Sequence, residues 1–174
     1  MLQLLDPAAL TGGGVTIFQV DERVAPNGDP DRNLTEIREA LPASALERLR
    51  PMPVEDPDLE SAAARYADGL PDALDLVHLG LGPDGHTASL VPGDPVLEVG
   101  DRSVALTAGE YQGRRRMTLT YPALAAGRRV LWLVSGEDKR DALGLLLARD
   151  GSIPAGRVRA RDAVVICDRA AAPG

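Results

Sequence analysis

Three short, largely apolar runs, 74–79 (LDLVHL), 130–134 (VLWLV) and 163–167 (AVVIC), are separated by stretches patterned for helix. Brief apolar runs bounded by turn signals fit buried strands. Strands that alternate with helices predict an α/β domain with a mostly parallel, Rossmann-like sheet. Residues 59–70 put Leu59, Ala62, Ala63, Tyr66 and Leu70 on one helical stripe. Residues 139–149 do the same with Ala142, Leu143, Leu146 and Leu147. Shorter helices are expected at 32–40 and 43–50, either side of Pro42. The run 15–20 (VTIFQV) predicts a strand ending at Asp21, and 103–106 and 117–120 are weaker strand candidates. Proline- and glycine-rich punctuation falls at 26–30, 51–57 and 80–85. With no internal repeat or long linker, residues 1–174 read as one domain, long enough for a sizeable core. Aromatics are only 3% of the residues, so that core must be aliphatic.

Several function classes are disfavoured. No apolar run is long enough to span a bilayer. Residues 1–10 lack a basic leader and carry Asp6, so no signal peptide is expected, and a cytoplasmic location is the default. Cys167 is the only cysteine, which excludes an intrachain disulfide and a cysteine-built zinc cluster. A net charge of −7 argues against a nucleic-acid surface. A small anionic substrate stays possible, because a local group of cations binds a phosphate even on an acidic protein.

In open α/β sheets ligands bind beyond the carboxyl ends of strands. That rule points to the turns after Val20, Leu79 and Val134. The first holds Asp21-Glu22-Arg23, where an arginine fork suits a phosphate and a solvated ion pair is the plainer alternative. Asn33 adds a neutral donor, or an N-cap. The second is the most specific: Gly80-Leu81-Gly82-Pro83-Asp84-Gly85-His86-Thr87-Ala88-Ser89. Its glycines, Gly85 among them, let the backbone approach a ligand. Thr87 and Ser89 stand where a helix could start and favour an anion. His86 is the best general-base candidate, with Asp84 placed to orient its ring; a histidine merely exposed in a loop is the alternative. His78, inside the apolar run, reads as a packing residue, and a His78/His86 metal pair lacks a third ligand. No metal or cofactor is expected. Arg116 opens the 117–120 run, though Arg114-Arg115-Arg116 together also fit a solvated face. Lys139, the only lysine, follows Ser135-Gly136-Glu137-Asp138 at a helix start, where the dipole disfavours a cation. It is either aimed at a ligand or neutralised by Glu137 and Asp138.

The order of these segments resembles the 6-phosphogluconolactonase family: a strand with DER, then Asn33, then HLGLGPDGHTASLVPGDP, then Arg116 with TLT, then a strand with SGxxK. The resemblance runs from about Val15 to Ala171. It implies a fold of the glucosamine-6-phosphate deaminase and ribose-5-phosphate isomerase type. It also implies hydrolysis of 6-phosphoglucono-δ-lactone in the oxidative pentose phosphate pathway, without metal or cofactor. By that resemblance His86 is the base and Asp84 its supporting carboxylate. Arg23, Arg116 and Lys139 match cations that meet the phosphate or oxyanion, and Asp21, Asn33 and Gly85 match site positions. The chain departs from the family in three ways. The N-terminal strand–loop–helix with a Ser-Gly-Gly-x-Thr-Pro-like phosphate loop is not matched, and Gly12-Gly13-Gly14 is no substitute. A chain shortened there is expected to uncover a sheet edge and self-associate. Glu110-Tyr111-Gln112-Gly113 stands where many members are proline-rich, and Arg32 replaces a serine before Asn33. Two rival readings are a glucosamine-6-phosphate deaminase, for which the acid after the histidine turn is missing, and a noncatalytic sugar-phosphate binder.

Overall fold

The computed structural model describes residues 14–173; expectations for residues 1–13 lie outside the described residues. In chain order the elements are β1 (Ile17–Phe18), β2 (Asp21–Arg23), α1 (Asn33–Ala40), α2 (Ala43–Leu46), β3 (Leu49–Arg50), α3 (Leu59–Asp68) and β4 (Val77–Leu79). They continue with β5 (Val104–Leu106), β6 (Arg116–Leu119), α4 (Tyr121–Ala126), β7 (Val130–Val134), α5 (Arg140–Leu147) and β8 (Ala163–Cys167).

The three apolar runs form the expected parallel sheet, in the order β4-β7-β8. Along β7 every second residue, Val130, Trp132 and Val134, is buried. These pack in one core with Val77 and Leu79 of β4 and with Ala142, Leu143 and Leu146 of α5. The aliphatic stripe of α5 reads as predicted, except that Leu147 is exposed. Helix α3 buries Ala62, Ala63 and Tyr66. Asp58 caps it by accepting from the Ser61 N–H at 3.0 Å.

The mostly parallel sheet is accompanied by an antiparallel one, β2-β6-β5, and by a short parallel pair, β1-β3. Of the predicted strand 15–20 only Ile17–Phe18 is strand, and Asp21–Arg23, expected as the turn after it, is itself a strand in a different sheet. Gln19 lies at the break. Its buried side chain accepts from Met52 N–H at 2.9 Å and donates to Glu22 at 3.0 Å, so the chain turns inward there. The predicted helix 43–50 stops at Leu46, and Leu49–Arg50 pairs with β1 instead. Tyr66 fixes that corner by donating its hydroxyl to Gln19 O at 3.0 Å and Arg50 O at 3.1 Å.

The start of α1 shows how the DER segment is held. Its N-cap is Arg32, whose side chain has no oxygen to offer the free N–H groups of the first turn. Glu22 supplies the carboxylate. It is fully buried and accepts from Asn33 N–H and Leu34 N–H, each at 2.9 Å, and from Arg23 N–H at 2.7 Å. The Arg32 guanidinium, also buried, lies 3.4 Å from Glu22 and pairs with Glu55. Glu22 thus caps α1 from β2 and ties the two elements together. Removing one side of a buried ion pair leaves an uncompensated charge. Glu22→Ala should lower the unfolding free energy by about 3 kcal/mol or more, read by urea denaturation. A loss below about 1 kcal/mol would place the cap elsewhere.

Candidate active site

β4 ends at Leu79, and the chain enters a tight turn from Gly80 to His86. Gly82 N–H donates to His86 O at 2.8 Å and Gly85 N–H to Gly82 O at 3.0 Å. A β-carbon at Gly82 would overlap the His86 ring, so the imidazole folds back over bare backbone. Gly85 has φ of 81°, and a side chain there would also meet Ile153 at 2.5 Å. The Asp84 carboxylate turns back over the same loop. Its Oδ1 lies 2.5 Å from His86 Nδ1 and accepts from His86 N–H at 3.1 Å. With Nδ1 engaged, the lone pair of the neutral ring sits on Nε2. Burial works to raise the Asp84 pKa. Hydrogen bonds from His86, its charge and a bond from Tyr111 outweigh that and hold the carboxyl below its ordinary value.

The expected helix start at Thr87 and Ser89 is absent. Those residues form a tight reversal, with Leu90 N–H donating to Thr87 O at 2.9 Å and Ala88 at φ of 48°. Both hydroxyls serve the fold. Thr87 Oγ1 donates to Gly80 O at 2.9 Å, and Ser89 Oγ donates to Asp21 Oδ2 at 2.6 Å. Ser89 N–H donates to Thr118 Oγ1 at 3.2 Å. The histidine turn is therefore stitched to β2 and β6 of the antiparallel sheet.

A trough opens beside the turn, lined among others by Asp21, Arg23, Asn33, His86 and Arg116. Five of the eight predicted site residues meet there. Asp21 holds the junction: its Oδ1 accepts from Asn33 Nδ2 at 3.1 Å while Oδ2 takes the Ser89 proton. Burial pushes its carboxyl above the ordinary value, against the opposing pull of Ser89, Arg116 and Arg23. Arg23 donates to Asp31 O at 2.5 Å, and its Nε is buried without a partner. Arg116 is anchored by Tyr111 O, which accepts from Nε at 3.3 Å and Nη2 at 3.0 Å, and by Gln112 Oε1 at 3.1 Å. Burial first, and the like charge of Arg23 second, depress its pKa. Two guanidinium groups that repel each other in a half-buried trough favour an anion between them.

The other three predicted residues lie outside the trough lining. Asp84 contacts His86 within the turn. Gly85 sets the turn, and its carbonyl accepts from Ala155 N–H at 2.9 Å. Lys139 pairs with Asp138 at 2.8 Å. It stands past the carboxyl end of β7, on the same end of the sheet as the histidine turn because β4 and β7 run parallel. His78 lines the trough half-buried, with Nε2 unpartnered and its pKa lowered by burial. Among the described residues no group of three or more His, Cys, Asp or Glu side chains is placed to hold a metal.

Sequence reasoning takes Ser89 as an anion-favouring helix start and misses its bond to Asp21, and it does not name Tyr111 as a site residue. For Tyr111 a signal existed: Gln112-Gly113 between two strand candidates marks a hairpin turn. Both adopt positive φ, 54° and 77°, and Tyr111 pairs with Arg114 across it.

The family of glucosamine-6-phosphate isomerases and 6-phosphogluconolactonases matches residues 2–167 of this chain. The chain belongs to that family. It is 38% identical over 160 residues to the 6-phosphogluconolactonase of Streptomyces coelicolor, covering 81% of this chain and 61% of that protein. It is likewise 38% identical to the Mycobacterium tuberculosis 6-phosphogluconolactonase, covering 91% of this chain and 72% of that one. The crystal structure of 6-phosphogluconolactonase from Thermotoga maritima superposes with a TM-score of 0.77 at 28% identity, over 91% of this chain and 77% of the other. The chain thus spans about three fifths of the Streptomyces relative's length. The fold matches the glucosamine-6-phosphate deaminase type anticipated above, and among the described residues no helix is long and apolar enough to cross a membrane.

Proposed function

We propose that the chain hydrolyses 6-phospho-D-glucono-1,5-lactone to 6-phospho-D-gluconate, with His86 as the base. The observation that carries this reading is His86, 2.5 Å from Asp84, lining a trough that also holds Arg23 and Arg116. The names of the similar proteins point the same way. In this scheme Nε2 of His86 takes a proton from water as the oxygen adds to the lactone carbonyl. Asp84 stabilises the imidazolium that forms. The tetrahedral oxyanion then collapses, the ring C–O bond breaks, and His86 returns the proton to the departing ring oxygen. Arg23 and Arg116 divide between them the phosphate and the developing oxyanion. Asp21 and Asn33 place these groups, and Lys139 is an outlying cation at the same sheet end. No cofactor enters this route, and the cytoplasm is the proposed location.

Turnover of freshly prepared lactone, corrected for spontaneous opening, tests the reading. His86→Ala should slow it by about 100-fold or more, the usual scale for a lost general base. Near-normal turnover in that variant would remove His86 from the mechanism. Absence of turnover by a folded wild-type chain would leave sugar-phosphate binding as the function.

Self-association is proposed through the free edge of β8. Among the described residues β8 pairs only with β7, and it exposes Val164 and Ile166 at 40% and 54%. Sedimentation velocity should show a dimer or larger species that Ile166→Lys shifts to monomer. A wild-type monomer at high concentration would contradict it.

A further inference from the structure

The hairpin between β5 and β6 brings Tyr111 against the Asp84–His86 pair. Its hydroxyl donates to Asp84 Oδ2 at 3.1 Å and lies 3.3 Å from His86 Nδ1. Its ring meets the imidazole edge-on, with centroids 5.2 Å apart. The Arg116 guanidinium carbon sits 5.2 Å from the centre of the same ring, and the Tyr111 carbonyl accepts from Arg116. One residue therefore touches the base, its carboxylate and one of the two trough arginines. Burial, then the bond to Asp84 and its negative charge, push the Tyr111 phenol upward, so it remains a donor at neutral pH.

We propose that Tyr111 is a positioning residue for the Asp84–His86 pair, and that it ties that pair to Arg116. The division of labour follows from the two carboxylate oxygens. Oδ1 already takes His86 Nδ1 and His86 N–H. Oδ2 takes the phenol. Without the phenol the carboxylate on this half-exposed loop is held through Oδ1 alone, and the partner that keeps the ring proton on Nδ1 is less firmly placed. A phenol donating to a carboxylate is a charge-assisted bond, about twice as strong as its neutral counterpart. The 3.3 Å contact to Nδ1 is longer and secondary. The ring and the main-chain carbonyl set Arg116 separately, so loss of the hydroxyl alone should spare substrate binding.

The kinetic part of this inference rests on the lactonase reading; the spectroscopic part does not. Tyr111→Phe keeps the ring and removes only the hydroxyl. Its kcat should fall roughly fivefold to tenfold, with KM within about twofold. In an Asp84→Asn background the same change should alter kcat by less than about twofold, because the partner is already lost. Nitrogen-15 NMR of neutral His86 should show the proton on Nδ1 in the wild-type chain and a mixture of tautomers in Tyr111→Phe. Unchanged kcat with an unchanged imidazole spectrum would overturn the proposal. A lower kcat that tracks a lower unfolding temperature, with the spectrum unmoved, would overturn it too, leaving Tyr111 a structural residue. If the wild-type chain shows no His86-dependent turnover, the lactonase reading falls while the imidazole spectrum still decides the role of Tyr111.

Discussion

The buried carboxylate of Glu22 is the contact on which the arginine side of the trough depends. It caps α1 from a neighbouring strand and so fixes Asp21, Arg23 and Asn33 relative to one another. An ion this deep in the fold is tolerated because four hydrogen bonds and the Arg32 guanidinium meet it. Arg32 occupies the N-cap position and has no side-chain oxygen for the first-turn N–H groups, two of which Glu22 meets instead.

From that anchor the site is assembled by cross-links between sheets. The parallel sheet delivers the histidine turn, and the antiparallel sheet delivers Asp21, Arg23 and Arg116. Ser89 joins them, its hydroxyl on Asp21 and its amide N–H donating to Thr118. Bare backbone at Gly82 gives the imidazole room, while Arg23 and Arg116 both line the trough, where burial first and the like charge of Arg23 second depress the Arg116 pKa. Electrostatic tension of this kind is relieved by a bound anion. Holding like charges ready before the substrate arrives is a familiar way to stabilise developing negative charge.

Much of this was legible in the sequence, for physical reasons. The runs 130–134 and 163–167 were found to the residue, because continuous apolar β-formers bounded by polar turns have few other uses. The pairing of Asp84 with His86 followed from two-residue spacing in a glycine-rich turn. What stayed hidden depends on distant contacts. The break at Gln19 needs Met52 and Glu22, which the local pattern of 15–20 does not reveal. Two strands of the antiparallel sheet, 104–106 and 116–119, fall on the weaker candidates 103–106 and 117–120, but the third, Asp21–Arg23, is too short for periodicity to mark and reads as a turn. Ser89 looked like a helix start because a polar residue after glycines usually is one. Here its hydroxyl is used by Asp21, 68 positions earlier in the chain. For Tyr111 the sequence marks the hairpin turn and a departure from the family pattern, but its contacts with Asp84 and His86 arise only when the hairpin folds over the histidine turn.

The proposed lactonase site requires that the trough between the two sheets hold a phosphorylated sugar acid. Titration of the nitrogen-15-labelled chain with 6-phosphogluconate reads this out. Saturable shifts should concentrate at Arg23, Asn33, His86 and Arg116, with the Arg23 Nε–H signal among the largest. Saturable shifts that map instead to the far side of the parallel sheet, around Arg149 and Arg159, or no saturable shifts at all, would contradict it.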